Sequence, residues 1–497
     1  MFIFLCSILY NIFNVHNQEI KMKPFIGREN EILQLQSLYK KTTTKLVVVK
    51  GRRRIGKSRL ISEFSKLNKE SRFLNFTALA PEKGVTNQMQ LDYFGRQLSR
   101  HLNMPPVSFS DWADAFEYLS FNSKKSDIIL FDEISWMGLN DPAFIPKLKA
   151  FWDEDLSQKK HILFILCGSI ATWIEDNILN STAFFGRISM TITLDLLSIK
   201  ESAQLLKELG FKGSNLDIYT ILGALGGVPW YLEQIDATKM GIDNIKDLCF
   251  IKNGLLVSEF NTMFYDLFNG KGSKYRKILE CLNNAPKTLA QIRDDISYPA
   301  SGTLSSMMNH LVVAGFVQKH SMWSIKTGKT SQKSLYRICD AYSRFYLKLI
   351  EPNLLKIQKN GFDDIKTIPG FDTHIGLMVE NLLIQNRDIL LKSIGISNNE
   401  TLFDGPYVQT KTLRTKGCQI DYLIQTRSRN LFLCEFKFRR RALGFEIIDE
   451  VKEKMKRFVA PKGFAITPVL FHFGEISQTV YEQNYFYKII DMNNFIE

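Results

Sequence analysis

Leu46-Val-Val-Val49, then Lys50 and Gly51-Arg-Arg-Arg-Ile-Gly56-Lys57-Ser58, run from a β-branched strand into a glycine-punctuated loop, and Arg59 to Leu67 continues as a helix. The loop satisfies GxxxxGK[ST] in the strand–loop–helix setting that gives the pattern its meaning. Each position has a chemical reason. Glycines let backbone N–H groups close around phosphate oxygens, and the lysine ammonium offsets charge on the β- and γ-phosphates. The serine hydroxyl is a hard ligand for magnesium, and the helix N-terminus favours an anion. Gly51, Arg54, Ile55, Gly56, Lys57, Ser58 and Arg59 are the candidate nucleotide-contacting positions, with ATP and Mg2+ as candidate ligands. The competing reading is a glycine turn that carries a surface lysine.

Asp127-Ile-Ile-Leu-Phe-Asp132-Glu133 is an apolar strand that ends in two carboxylates. Asp132 is placed to hold the magnesium shell and Glu133 to orient and polarise the attacking water; a strand leaving into a polar loop is the alternative. The next strand, from Ile162, ends Cys167-Gly168-Ser169. In the expected sheet order Ser169 stands beside the γ-phosphate and senses it, or its hydroxyl closes a turn. Gly186-Arg187 precedes the strand Ile188 to Leu194. Arg187 is a candidate to reach the γ-phosphate, within the chain or from a neighbouring subunit; otherwise it is a solvated or ion-paired arginine.

Around this site the chain alternates strands and helices, with strands at Leu46–Val49, Phe73–Thr77, Ile128–Phe131, Ile162–Leu166 and Ile188–Leu194. That pattern predicts an α/β parallel sheet covered on both faces. Over 24–197 it forms the nucleotide-binding core. Strands then vanish, and 198–270 reads as a helical lid with a turn at Gly226-Gly227-Val228-Pro229. Helices at Tyr275–Leu282, Thr288–Ile296 and Thr303–Ala314, followed by a hairpin at Phe316–Ile325, give 271–340 the layout of a winged helix. The remainder, 341–497, begins with an aromatic helix, passes a linker near Pro352 and returns to mixed α/β, with strands at Gln419–Gln425 and Leu431–Phe438.

At 497 residues the chain is too long for one core, and a surplus of 13 positive charges favours a polyanionic partner or simply good solubility. Seven scattered cysteines lack metal-ligand spacing and fit a reducing, cytoplasmic compartment rather than a disulfide framework. The apolar start, Met1 to Val15, has no basic leading region and is shorter than a membrane span. It is a signal peptide or an over-extended reading frame, since Met22 stands just before the first globular pattern.

In these features the chain resembles the AAA-type ATPases of archaea and bacteria that carry a carboxy-terminal winged helix and a PD-(D/E)xK nuclease-like region. The signs are Phe25-Ile-Gly-Arg-Glu-Asn-Glu31, the arginine-rich phosphate loop, LFDEISW at 130–136, CGS at 167–169, FFGR at 184–187 and GGVPWYL at 226–232. The resemblance covers most of 24–460. It implies a sheet with the phosphate loop on its central strand. It also implies a lid turn of Gly-x-Pro type near the adenine, matched by Val228 and Pro229, in place of an arginine sensor.

In the last region Asp421, Glu435 and Lys437 make a D-x13-E-x-K pattern across two successive strands. Glu435 and Lys437, two apart, share a face, and a hairpin brings Asp421 beside them. Two carboxylates on one edge suit a divalent cation, and the lysine neutralises charge on a phosphorane-like transition state. The resemblance adds Glu380 on a preceding helix, so that Asp421, Glu435 and Glu380 are the expected metal ligands and 341–497 a nuclease-like domain acting on DNA; ordinary surface charges on a hairpin are the alternative. Lys411, Arg414, Lys416, Arg427, Arg429 and Arg439–Arg441 are expected to cluster around this edge against a phosphate backbone or as a solvated face. The predicted recognition helix, Ser301 to His310, offers only Asn309 and His310 as base readers, so the winged helix also reads as a connector. The expected activity is an ATPase coupled to a DNA-interacting domain, with a homo-oligomer as a further expected assembly and no membrane partner. The rivals are a slow nucleotide-dependent switch and a DNA-binding regulator without nuclease activity.

Overall fold

The computed structural model describes residues 23–82, 84–138, 141–267, 272–299, 302–411, 413 and 415–497. The apolar start, Ser301 and Arg414 lie outside the described residues.

Helix α1 (Glu29–Tyr39) buries Leu35 and Leu38 and leads into β1 (Lys45–Gly51), whose Leu46 to Val49 are inaccessible. Gly56, at φ 93°, turns the chain into α2 (Lys57–Leu67). β2 (Phe73–Thr77), α3 (Asn87–Leu102), α4 (Trp112–Asn122), β3 (Ile128–Asp132), β4 (Leu163–Gly168) and β5 (Ile188–Leu194) complete this half. The five strands are parallel in the order β2-β3-β4-β1-β5. Both faces are covered, which is why the strands read as unbroken apolar runs. On one face Phe76, Phe131 and Phe164 meet Phe94, Trp112 and Phe116; on the other Val47, Val49 and Ile165 meet Leu35, Leu60 and Phe64. One expectation needs correction. The phosphate-loop strand is not central: β4 holds the middle, and β1 lies between β4 and the edge strand β5.

α5 (Ile199–Glu208), α6 (Asn215–Leu225), α7 (Gly241–Cys249) and α8 (Glu259–Leu267) form the all-helical segment. Reciprocal Ser–carboxylate boxes, Ser198 with Glu201 and Ser214 with Asp217, set the first two helix starts. The glycine turn is seated on the exit of β5: the Leu197 N–H donates to the Gly227 carbonyl at 2.8 Å, and a Cβ on Gly227 would lie 2.2 Å from the Leu197 oxygen.

α9 (Gly272–Leu282), β6 (Lys287–Thr288), α10 (Leu289–Asp295), α11 (Gly302–Val313), β7 (Val317–Ser324) and β8 (Lys329–Ile338) follow, with a sheet of order β6-β8-β7. The β7–β8 hairpin does not project into solvent. Trp323 stacks near Phe403 and Tyr407, its indole N–H donates to Gln425 Oε1 at 2.9 Å, and Gln425 donates to the Ile325 carbonyl at 3.0 Å.

The expected linker near Pro352 is absent. α12 (Ala341–Phe345) continues as helical backbone through Glu351–Asn353 to Leu354–Gln358, because Tyr342, Phe345, Tyr346, Leu349 and Ile350 are buried. Pro352 stands where the wide turn of Tyr346–Ile350 gives way to the tighter turn Glu351–Asn353, at that turn's start, where a change of hydrogen-bond pattern accommodates its missing N–H. α13 (Phe371–Gln385), β9 (Thr401–Gln409), β10 (Cys418–Thr426), β11 (Asn430–Phe438), α14 (Glu446–Arg457), β12 (Ala465–Phe473) and β13 (Lys488–Asp491) build the last sheet, ordered β13-β12-β11-β10-β9. Pairing is antiparallel across β9, β10 and β11 and parallel across β11, β12 and β13.

A single hydrophobic cluster runs from Leu197 through the helical segment, the three-helix module and the last sheet to Ile496. Tyr219 of α6 donates to the Met492 carbonyl at 2.7 Å and packs against Phe438 and Phe473. The boundaries at 270 and 340 therefore do not separate independent cores.

Candidate functional site

Parallel pairing sets Lys50 opposite Gly168 and Phe131 opposite Leu166, so the loops that leave β1, β4 and β3 emerge along one edge of the sheet. Gly51, at φ 152°, sits where a Cβ would lie 2.6 Å from the Leu194 carbonyl oxygen. Lys57 Nζ donates to the Gly51 and Arg52 carbonyls at 3.1 and 3.0 Å and braces the loop. Ser58 Oγ donates to Asp132 Oδ2 at 2.6 Å, and the Glu133 N–H donates to Asp132 Oδ1 at 3.1 Å. A hydroxyl and a carboxylate in contact are a donor set that fits Mg2+, which takes few protein ligands and completes its octahedron with water and phosphate oxygens.

Glu133 has a left-handed backbone, φ 53°, at the start of the turn Ile134–Met137. Its carboxylate is turned toward β4, where the Ser169 N–H and Oγ both donate to Oε2, at 2.9 and 2.8 Å. The hydrogen-bonding capacity of Ser169 thus goes to Glu133 rather than directly to a phosphate. β4 lies between β1 and β3, which brings Ser169 beside the end of β3.

A cleft of about 310 Å³ opens beside Gly56, Lys57 and Ser58. Its apolar lining is Phe25, Ile26, Leu197, Leu205, Pro229 and Trp230. Pro229 is where the turn motif places it. Trp230, the neighbouring residue, was not singled out as a contact, although it stands in the same quoted turn. Arg54, Ile55 and Arg59 also line the cleft, but the Arg54 and Arg59 side chains are engaged with carboxylates of the all-helical segment, Arg54 with Glu259 at 2.5 Å and Arg59 with Glu233 at 2.9 Å.

Arg187 stands elsewhere. It precedes β5, whose Ile188 pairs with Leu46 while Leu194 pairs with Gly51, so it lies at the entry end of the sheet. Six residues at roughly 3.3 Å each put it about 20 Å from the phosphate loop. Its guanidinium makes a bidentate pair with Asp153 at 2.6 and 2.9 Å, holding the Asp153 carboxyl down at about 2. Reach to the γ-phosphate within the chain is excluded by this geometry. His310 is likewise not a free base reader: its ring lies between the Tyr275 hydroxyl at 2.7 Å and Ser306 Oγ at 3.4 Å.

In the last sheet the register Tyr422 opposite Cys434 carries Asp421 and Glu435 to adjacent positions, and Asp421 Oδ2 accepts from the Phe436 N–H at 3.0 Å. Glu435 is buried between two ammonium groups: Lys437 at 3.0 Å from Oε1 and Lys454 at 2.5 Å from Oε2. Lys454, on α14, also lies 3.5 Å from Asp421, and Lys437 reaches Glu450 at 2.7 Å. Lys454 was missed in the sequence, yet the helix carried a signal. It falls at helical spacing from the buried Ile447 and Val451, an inward position where a charge needs a partner. Asp421, Glu435 and Lys437 are therefore brought together, with Lys454 between the two carboxylates. Glu380 stands near enough to feel both carboxylates and both ammonium groups, while among the described residues no group of three or more His, Cys, Asp or Glu is arranged to hold a metal ion. The expected basic cluster is also divided. Arg427 and Arg429 lie at the β10–β11 turn, whereas Lys411, Lys416 and Arg439–Arg441 lie beyond the other ends of those strands.

The parallel sheet, the glycine loop that leads into α2 and the carboxylates at the end of β3 define a fold typical of P-loop nucleoside triphosphatases. Residues 25–235 match the family model described as an ATPase domain predominantly from Archaea, which supports ATP hydrolysis in this half of the chain. An uncharacterised protein of Methanocaldococcus jannaschii is 25% identical over 358 residues, 72% of this chain and 76% of that protein. Similar solved structures include a Walker-type ATPase of Pyrococcus abyssi, 18% identical with a TM-score of 0.46 over 66% of this chain and 97% of that one. The ORC2 protein of Aeropyrum pernix, in ADPNP and ADP complexes, is 14% identical with a TM-score of 0.41 over 69% of this chain and 97% of that one. Among the described residues, no helix is long and apolar enough to cross a membrane.

Burial, and after it Asp421 and Glu435, push the Glu380 carboxyl up to about 8 from its ordinary 4.5. The folded chain then keeps a proton that the unfolded chain releases, so Glu380 lowers stability as pH rises from 4.5 to about 8. Glu380→Gln is expected to flatten this pH dependence and to raise stability at the upper end of the window. Urea-unfolding midpoints taken across the window measure it, and an unchanged slope in the variant refutes the assignment.

Proposed function

We propose that the chain is a magnesium-dependent ATPase whose second half engages DNA through the Asp421–Glu435–Lys437 cluster. The observation that carries the first part is the contact of Ser58 with Asp132 at the start of α2, in a segment that matches an ATPase-domain model. Main-chain N–H groups of the loop and the α2 terminus bind the phosphates, Lys57 balances their charge, and Glu133, once released from Ser169, orients the water. Mg2+ held at Ser58 and Asp132 supplies charge neutralisation on the phosphate oxygens. Glu133→Gln is expected to retain ATP binding while kcat for phosphate release falls by about 100-fold or more. Unchanged slow turnover with intact binding favours the switch reading instead.

Arg187 is read as acting on a neighbouring subunit. Its position at the far end of the sheet supports this, as does the adjacent Phe185, which is 85% exposed. Activity per subunit should rise with protein concentration, and mixing inactive Arg187→Ala with inactive Lys57→Ala should restore part of it, because each subunit supplies what the other lacks. No recovery at any mixing ratio removes the intersubunit role.

The nuclease reading draws on the convergence of Asp421, Glu435 and Lys437 on adjacent strands. Asp421 and Glu435 offer oxygen donors to a divalent cation only if the Lys454 ammonium gives way. The three-helix module, arranged as a winged helix, is read as a connector, since its hairpin is docked on β9 and β10. Wild-type protein with Mg2+ or Mn2+ is expected to nick or cut plasmid DNA and Asp421→Asn to lose this. Wild type that leaves every DNA substrate intact points to the regulator reading.

A further inference from the structure

The lid side chains that line the cleft are Leu205, Pro229, Trp230 and Glu233, none of them an arginine. Charge crosses the cleft in the opposite sense, from the core to lid carboxylates. Arg59 of α2 and Lys23 both donate to Glu233, at 2.9 and 2.8 Å. Arg54, from the middle of the phosphate loop, reaches α8: its Nη1 lies 2.5 Å from Glu259 Oε1, and its guanidinium carbon lies 3.5 Å from the centre of the Trp230 ring. The Arg54 backbone is left-handed, φ 68°, a conformation that a non-glycine residue keeps only when its surroundings hold it there.

These contacts set two competitions. Trp230 belongs to the apolar lining of the cleft and offers an aromatic surface on which a purine would stack; the guanidinium lies on that ring at stacking distance. A base and Arg54 cannot share one face. Glu259 is buried, the Tyr231 hydroxyl also donates to it at 3.4 Å, and Arg53 acts on its charge as well. A polyphosphate gripped by the same loop carries more charge than one carboxylate and draws on the same guanidinium. Whichever partner wins, the other loses the Arg54 charge, and Glu259 then keeps only the more general influence of Arg53.

We propose that Arg54 links the phosphate loop to the lid by exchange: base and phosphates take Trp230 and the Arg54 guanidinium, and Glu259 at the start of helix α8 loses its Arg54 partner in return. The inference rests on the ATPase reading and gives that site a positioning residue, Arg54, and a base platform, Trp230. It makes the lid respond to nucleotide through carboxylates facing loop arginines rather than through an arginine of its own. α8 shares the hydrophobic cluster of the three-helix module, so a change at Glu259 acts on an element packed against everything downstream.

Linkage fixes the sign. A nucleotide that must displace Glu259 binds more tightly when the pair is weakened, because binding and pairing oppose each other reciprocally. Calorimetric titration of the full chain with ATP is expected to show about 5- to 10-fold tighter binding in Glu259→Gln. In the Arg54→Met background, Glu259→Gln is expected to change affinity by less than about 2-fold, since no exchange remains. Glu259→Ala serves the same cycle should the glutamine variant fold poorly. Equal or weaker ATP binding in the Glu259 variants overturns the proposal, and so does the same factor in both backgrounds. Wild-type protein that binds no ATP at all removes the ATPase reading itself, and this inference with it.

Discussion

Parallel pairing of β1 with β4 and β5 is the constraint on which the site depends. It brings Gly51, Gly168 and Leu194 to one edge, and pairing of β4 with β3 adds Asp132. Residues that are 74 and 111 positions apart from Ser58, Asp132 and Ser169, then fall into one hydrogen-bonded row. The same register excludes Arg187, because a residue that precedes a parallel strand lies at the edge opposite to residues that follow one. A single geometric rule thus assigns three groups to the site and removes a fourth.

Beyond the sheet the controlling feature is the continuous hydrophobic cluster from Leu197 to Ile496. Domains divided by linkers can move separately, but surfaces packed to interior density resist being parted, since each exposed Å² of apolar surface costs about 25 cal/mol. Tyr219 against Phe473, and Trp323 against Phe403 and Tyr407, tie helical segment, hairpin and last sheet together. Such packing makes the helical segment and the last sheet one body. Between the parallel sheet and the chain after Leu197, Arg52 pairs with Asp340, Arg54 with Glu259 and Arg59 with Glu233.

What could be read from the sequence was what lies contiguous along it. The strand–loop–helix around Gly51 to Ser58 and the strand end at Asp132-Glu133 are local patterns with local chemistry, and they stand where they were placed. The pairing of Ser169 with Glu133, the contact of Trp230 with Arg54 and the seating of Lys454 between Asp421 and Glu435 join segments whose relative position is set by strand order and by one shared core. Strand order is not a periodicity and leaves no local mark. The supposed linker at Pro352 failed for a related reason. Proline signals a break only where its N–H is needed, and the buried aromatic stripe of Tyr342, Phe345 and Tyr346 outweighs it.

The three consecutive arginines of the loop show how a nucleotide site is tied to distant structure. Arg52 is buried and pairs with Asp340, which also caps α12 by accepting from the Ser343 N–H at 2.9 Å. Its guanidinium lies 5.8 Å from the Tyr231 ring centre and 5.6 Å from that of Phe316, one ring from the lid and one from the three-helix module. Breaking a buried ion pair by removing one partner typically costs about 3–5 kcal/mol, so the loop cannot shift far while Asp340 keeps its place. Arg54 faces a carboxylate too, but from within the cleft, where an incoming anion can reach it. Of these two anchors one is sealed and the other competes with ligand, so the loop stays fixed to the body of the molecule at Arg52 while remaining answerable to nucleotide at Arg54.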